Sequence, residues 1–139
     1  MNIAGGTHHA FKDHGEAFCL LNDQGIAAHY LLDSKKASKI LIIDLDVHQG
    51  NGTAALFQDH PNVFTFSMHG AKNYPFKKQT SDLDIGLEND TQDALYLEIL
   101  KNTLPRLLTK VSPDFIFYLS GVDILASDKL GKLGCTLKG

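Results

Sequence analysis

Asp44, Asp46 and His48 stand at alternate positions in Asp44-Leu45-Asp46-Val47-His48. In extended backbone, residues two apart share a face, so this spacing points the three side chains the same way. Polar groups closing an apolar run are costly to bury unpaired, and a divalent cation removes that cost. Mixed carboxylate and imidazole ligation suits Zn²⁺ with a position left open for water. A strand end emerging into solvent explains one such acid well and three on one face poorly. Asp123, in Leu119-Ser120-Gly121-Val122-Asp123, is a further candidate ligand. Taken by itself, an acid just past a strand more often caps a helix or makes a turn.

Gly5-Gly6-Thr7-His8-His9 supplies a second kind of chemistry. An imidazole of near-neutral pKa is the natural proton-transfer group. A glycine such as Gly6 beside the pair lets backbone come close to a ligand. The plainer alternative is two exposed loop histidines. Phe18 and the Tyr74-Pro75-Phe76 stretch suit the walls of a narrow apolar channel, or simple packing under loops. Gly50-Asn51-Gly52-Thr53 resembles an anion nest at a helix start but lacks the lysine and spacing of a P-loop. His14, His29, His60 and His69 read as surface or capping residues.

These groups need a frame. The chain has 139 residues, 43% apolar and 21% charged, the mix of an ordinary globular protein and enough for one domain. Thirteen Lys and Arg against sixteen Asp and Glu give a charge of −3, and no basic run offers a nucleic-acid footprint. The longest apolar runs, Ile40–Ile43 and Phe115–Leu119, are too short to span a bilayer, so no membrane partner is expected. Two distant cysteines and the lack of a charged-then-apolar leader lead us to expect a reducing, cytoplasmic setting.

Helical spacing runs from Leu20 to Leu32 behind the cap candidates Asn22 and Asp23. Lys39–Val47 reads as a strand covered on both faces, and a short helix from Gly52 to about Gln58 follows, capped by Asn51 or Thr53. Asn62–Met68 is a second strand, and His69–Asp90 a long functional loop. Thr91 to about Lys110 is a helix that Pro105 should kink or end early, and Pro113–Leu119 a third buried strand. This alternation predicts an α/β fold, a parallel sheet with helices on both faces. Sites in such sheets lie beyond the carboxyl ends of the strands, which points to Asp44–His48, Ser67–His69 and Gly121–Asp123.

Taken together, Gly5–Ala10, Ala17–Asp23, Asp44–Thr53 and Gly121–Asp123 resemble the zinc-dependent histone deacetylase family, which also contains acetylpolyamine amidohydrolases. The resemblance covers essentially the whole chain in the family's order. It implies an arginase-like α/β fold and hydrolysis of an N-acyl amide, typically the acetylated lysine of a protein or an acetylated small amine. It implies that Asp46, His48 and Asp123 bind zinc, that His9 is the general base and His8 its electrostatic partner. Asp44 would orient His8, and Asn51 would orient His9. Family members with an acid at the Asn51 position should hold that histidine more tightly as a cation. Gly6, Phe18, Tyr74 and Phe76 would line the substrate tunnel. The carbonyls of Asp44, Asp46 and His48, with Ser67 and Met68, resemble a structural monovalent-cation site, often potassium.

In that family a tyrosine from a later glycine-rich segment completes the oxyanion site, and Tyr30, Tyr74, Tyr96 and Tyr118 lack that context. Residues 1–139 are therefore expected to be the central part of a single deacetylase-like catalytic domain, cut at both ends. Thr136–Gly139 then reads as the first turn of a helix. Two rivals follow. A haloacid-dehalogenase-type phosphotransferase would use Asp44 and Asp46, but His48 stands where a Thr is expected. A pseudoenzyme would bind metal without turnover.

Overall fold

A computed structural model describes residues 7–139. Its centre is β1 (Ile40–Asp44), with all five residues buried. It is flanked by β2 (Val63–Gly70) and β4 (Phe115–Leu119), with β3 (Leu83–Leu87) outside β2, giving the order β3-β2-β1-β4. All three pairings are parallel, and the register sets Asp44 opposite Ser67 on one side and Leu119 on the other. The carboxyl ends of β1 and β4 therefore coincide, while β2 runs on past Ser67 to Gly70 and β3 ends beside it, all pointing to the edge where the sequence placed the site.

The apolar run of β1 serves two cores because side chains alternate along a strand. Ile40 and Ile42 meet Ala28, Phe57 and Val63, beneath α1 (Asp23–Asp33) and α2 (Asn51–Leu56). Leu41 and Ile43 meet Tyr96, Leu107 and Val111 of α3 (Asp93–Val111) on the opposite face. Helices thus cover both faces of a parallel α/β sheet, as expected. Asn22 caps α1, its Oδ1 accepting the Gly25 N–H at 2.8 Å.

Five expectations need correction. β1 stops at Asp44, not Val47. Asp44 Oδ1 accepts the Asp46 N–H at 3.1 Å, and Asp46 Oδ1 accepts the His48 N–H at 2.8 Å, so side chains take over from the ladder. The long loop contains β3, whose Leu83-Asp84-Ile85-Gly86-Leu87 alternates too politely, with an acid and a glycine, to stand out from loop composition. Pro105 neither ends nor shortens α3. Leu97, Leu100 and Leu104 before it and Leu107 and Val111 after it pack on the same core, which keeps the helix continuous through it. α2 begins at Asn51 with Gly50 at the N-cap and no side-chain cap bond. β4 is not buried, since Phe115, Ile116 and Tyr118 are 39%, 43% and 60% exposed. At the end of the described chain, Thr136–Gly139 makes one hydrogen-bonded turn, fastened to Asp93 through the Thr136 N–H at 2.7 Å.

Candidate metal centre and cavity

Only Asp44 of the three alternating polar residues lies in the strand, so the shared-face argument fails in its literal form. What converges is a different trio. Ligand atoms of Asp46, His48 and Asp123 all lie within 4.8 Å of one another. Asp46 and His48 reach the centre from the bend after β1, and Asp123 from the loop after β4. Gly121 makes the approach possible, because a Cβ there would sit 2.5 Å from the Asp46 Cα.

His48 Nδ1 is 3.0 Å from both Asp46 Oδ1 and Asp123 Oδ2. Hydrogen bonds to Asp123 and then Asp46 push the His48 pKa up to about 9, against the opposing effect of burial. Two carboxylates that hold a proton on an imidazole this strongly offer the same charge to a divalent cation. Asp123 is further fixed by the Val47 N–H, which donates to its Oδ1 at 3.0 Å. The donor set, two carboxylates and one imidazole, fits a metal with Zn²⁺-like preferences.

The paired histidines sit directly beside this cluster, and both are buried rather than loop-exposed. Their rings lie 4.1 Å apart, centroid to centroid. His8 Nδ1 donates to Asp44 Oδ2 at 2.6 Å, and its Nε2 is 4.0 Å from Asp46 Oδ1. Burial disfavours the His8 cation, but the Asp44 carboxylate outweighs it and raises the pKa. His9 Nδ1 donates to Asn51 Oδ1 at 2.7 Å. Burial, and then the neighbouring His8 charge, lower its pKa to about 4. One histidine is thus biased towards the cation and the other is neutral at pH 7, the division of labour acid–base chemistry requires.

The Gly50–Thr53 stretch is not an anion nest. The Thr53 N–H is taken by the His8 carbonyl at 3.0 Å, and the Asn51 side chain is turned to His9. Gly52 is bare for packing, since a Cβ there would come within 2.6 Å of the His9 carbonyl carbon. The motif therefore docks the histidine loop on the start of α2.

Above these groups opens a cavity of about 480 Å³. His8, His9, Asp46 and His48 line its base, and Phe18, Tyr74 and Phe76 its sides. The Tyr74 ring stands edge-on to His9 at 5.1 Å, while Phe18 and Phe76 are exposed at the lip. Gly6 lies outside the described residues. Of the remaining histidines, His14 is on the surface, stacked on Phe11 at 4.5 Å, and His60 accepts the Asn62 N–H in a turn. His29 is exposed, its ring 5.1 Å from that of Phe57. His69 departs from expectation. It is buried in β2 at 2.9 Å from the Ser67 hydroxyl, and burial lowers its pKa.

Sequence reasoning missed Glu16. Its Oε1 accepts the Asn51 Nδ2–H at 2.7 Å and a short hydrogen bond from the Tyr74 hydroxyl. These bonds, Tyr74 first, hold the Glu16 carboxyl below the usual carboxylate range, while burial and Glu16 raise the Tyr74 phenol to about 12. Partners 35 and 58 residues away leave no local signal.

A parallel α/β sheet here gathers an Asp/His/Asp cluster able to hold a metal ion and a buried histidine pair under an aromatic-lipped cavity. The chain belongs to the histone deacetylase domain family, whose model matches residues 1–139. It is 54% identical over 138 residues to an uncharacterised protein of Picosynechococcus sp., covering 99% of this chain and 46% of that protein. It is 35% identical over 148 residues to the acetoin utilization protein AcuC of Staphylococcus aureus, covering 98% and 38% respectively. Among solved structures it resembles the HDA15 HD domain, at 28% identity and a TM-score of 0.80 over 96% of this chain and 42% of that one. The chain spans less than half the length of these relatives.

Proposed function

We propose that this chain carries the metal centre and proton-transfer pair of a zinc-dependent deacetylase that hydrolyses N-acetyl amides, typically acetyl-lysine. The observation that carries this reading is the Asp46/His48/Asp123 cluster lying beside His8 and His9 at the base of the cavity. Asp46, His48 and Asp123 would hold the ion. When bound, zinc supplies Lewis-acid polarisation of the acyl carbonyl and a more acidic water.

The protein's own groups do the rest. His9, neutral at pH 7 and held at Nδ1 by Asn51, has Nε2 left to take the proton of the attacking water. His8, biased towards the cation by Asp44, stabilises negative charge developing beside it. Phe18, Tyr74 and Phe76 admit a slender alkyl chain and exclude bulk water, and Gly6 belongs to the same substrate-binding set. The β1/β2 register brings Asp44 against Ser67. The carbonyls of Asp44, Asp46 and His48 with Ser67 and Met68 would there hold a structural potassium ion. Substrates are acetylated lysines of proteins or acetylated small amines.

One observation favours a second reading, metal binding without turnover. Tyr74 is the sole cavity-lining tyrosine among the described residues, and its hydroxyl is committed to Glu16. Losing one oxyanion donor typically costs about 10²–10³ in rate. An acetyl-lysine peptide assay with stoichiometric zinc, run beside Asp46→Ala, separates the two. Turnover that disappears in the variant supports the deacetylase, and zinc bound without turnover supports the second reading.

A further inference from the structure

The weak point of the His9 site is Asn51. A primary amide has a donor end and an acceptor end of nearly the same shape. Rotated by half a turn, Asn51 would present its NH₂ to His9 Nδ1, which would then have to accept. The imidazole proton would move to Nε2, and the nitrogen needed to take up a proton would already carry one. A carboxylate at position 51 has no such ambiguity, since both its oxygens accept.

Glu16 removes the ambiguity. An ionised carboxylate can only accept, so the Asn51 atom 2.7 Å from Glu16 Oε1 must be the NH₂, and the amide oxygen is thereby turned to His9 Nδ1, also 2.7 Å away. The same Oε1 accepts the hydroxyl of Tyr74, whose ring stands against His9, so one carboxylate braces two neighbours of that imidazole.

Glu16 is itself held in place. Its N–H donates to the Cys19 carbonyl at 3.0 Å, and the Cys19 N–H donates back at 2.9 Å. Between them Ala17 and Phe18 have φ of 45° and 69°. This is a two-residue turn with both central residues left-handed, the form that closes tight hairpins.

We propose that Glu16 is a positioning residue which, acting through Asn51, fixes His9 in the Nδ1-protonated tautomer and keeps Nε2 available as proton acceptor. The mechanistic consequence rests on the reading of His9 as the general base; the tautomer assignment does not.

The test is ¹⁵N spectroscopy of the histidine rings in the full zinc-loaded chain at pH 7, where His9 is neutral. In the unmodified protein His9 should show a protonated Nδ1 and an unprotonated Nε2. In Glu16→Ala that pattern should average or invert, and the isosteric Glu16→Gln, whose amide can meet Asn51 in either sense, should give a mixture even if the alanine variant folds poorly. Adding Asn51→Asp to Glu16→Ala should restore the original pattern, because an acceptor again faces Nδ1 whatever stands at position 16. Where turnover is measurable, kcat should fall about tenfold in the single variants with KM little changed, and recover in the double variant. A His9 pattern unchanged in both Glu16 variants, or not restored by Asn51→Asp, overturns the proposal. If no form hydrolyses amides but the tautomer responds as described, the deacetylase reading fails and the positioning role stands.

Discussion

β1 and β4 lie side by side, and each leads into the metal centre, yet they are held very differently. Every residue of β1 is buried between two helix-lined cores. β4 shares its register but leaves three of its five residues exposed. Asp46 and His48 thus follow the most constrained strand in the described fold, whereas Asp123 follows one of the least. The cluster has a firm half and a borrowed half. The borrowed half is drawn in by the Val47 N–H, the His48 imidazole and the bare Cα of Gly121.

The largest contrast should appear in stability. Ile42→Ala empties a fully enclosed site and should cost about 2–5 kcal/mol in urea unfolding, whereas Ile116→Ala, 43% exposed, should cost under about 1 kcal/mol. Equal losses would mean β4 is as enclosed as β1 in solution.

Metal uptake should come next. His48 must release a proton that Asp123 and Asp46 hold with a pKa of about 9. Zinc affinity should therefore rise about tenfold per pH unit between pH 7 and 9, with one proton released by calorimetry in buffers of different ionisation enthalpy. Asp123→Asn removes the larger support and should shift that window downward. In the metal-free chain the sign reverses. The His48 pKa is raised from 6.5 on folding, so its contribution to stability is complete below pH 6.5 and lost as pH climbs through about 9, visible as a falling Tm.

The smallest effect is dynamic. Amides of Phe115–Leu119 should exchange about tenfold faster than those of Ile40–Asp44. Matching rates would erase the distinction between the halves.

What the sequence made legible follows from range. Ile40–Ile43 and Phe115–Leu119 announce strands by unbroken apolar runs, and Asn22 announces a helix start by a bond three residues away. Asp46, His48 and Asp123 could be named as candidates because parallel strands share an edge, but position after a strand left Asp123 ambiguous with a cap or turn, and the family resemblance joined the three. The alternation argument reached Asp46 and His48 although the backbone there bends, because each acid caps the N–H two residues on. β4's exposure was hidden, since an apolar run states what a strand prefers and not what covers it. β3 was hidden because Asp84 and Gly86 dilute its pattern. Glu16 was hidden because its meaning lies wholly in Asn51 and Tyr74, far along the chain.

The hairpin at Ala17 and Phe18 sets two goals against each other. Left-handed backbone at a non-glycine residue costs on the order of 1–3 kcal/mol, and asparagine followed by glycine is the pair that suits such a bend. Ala17→Asn with Phe18→Gly should give a hardier chain with a blunted cavity rim. A protein engineer seeking heat tolerance and one seeking substrate grip would edit these two positions in opposite directions.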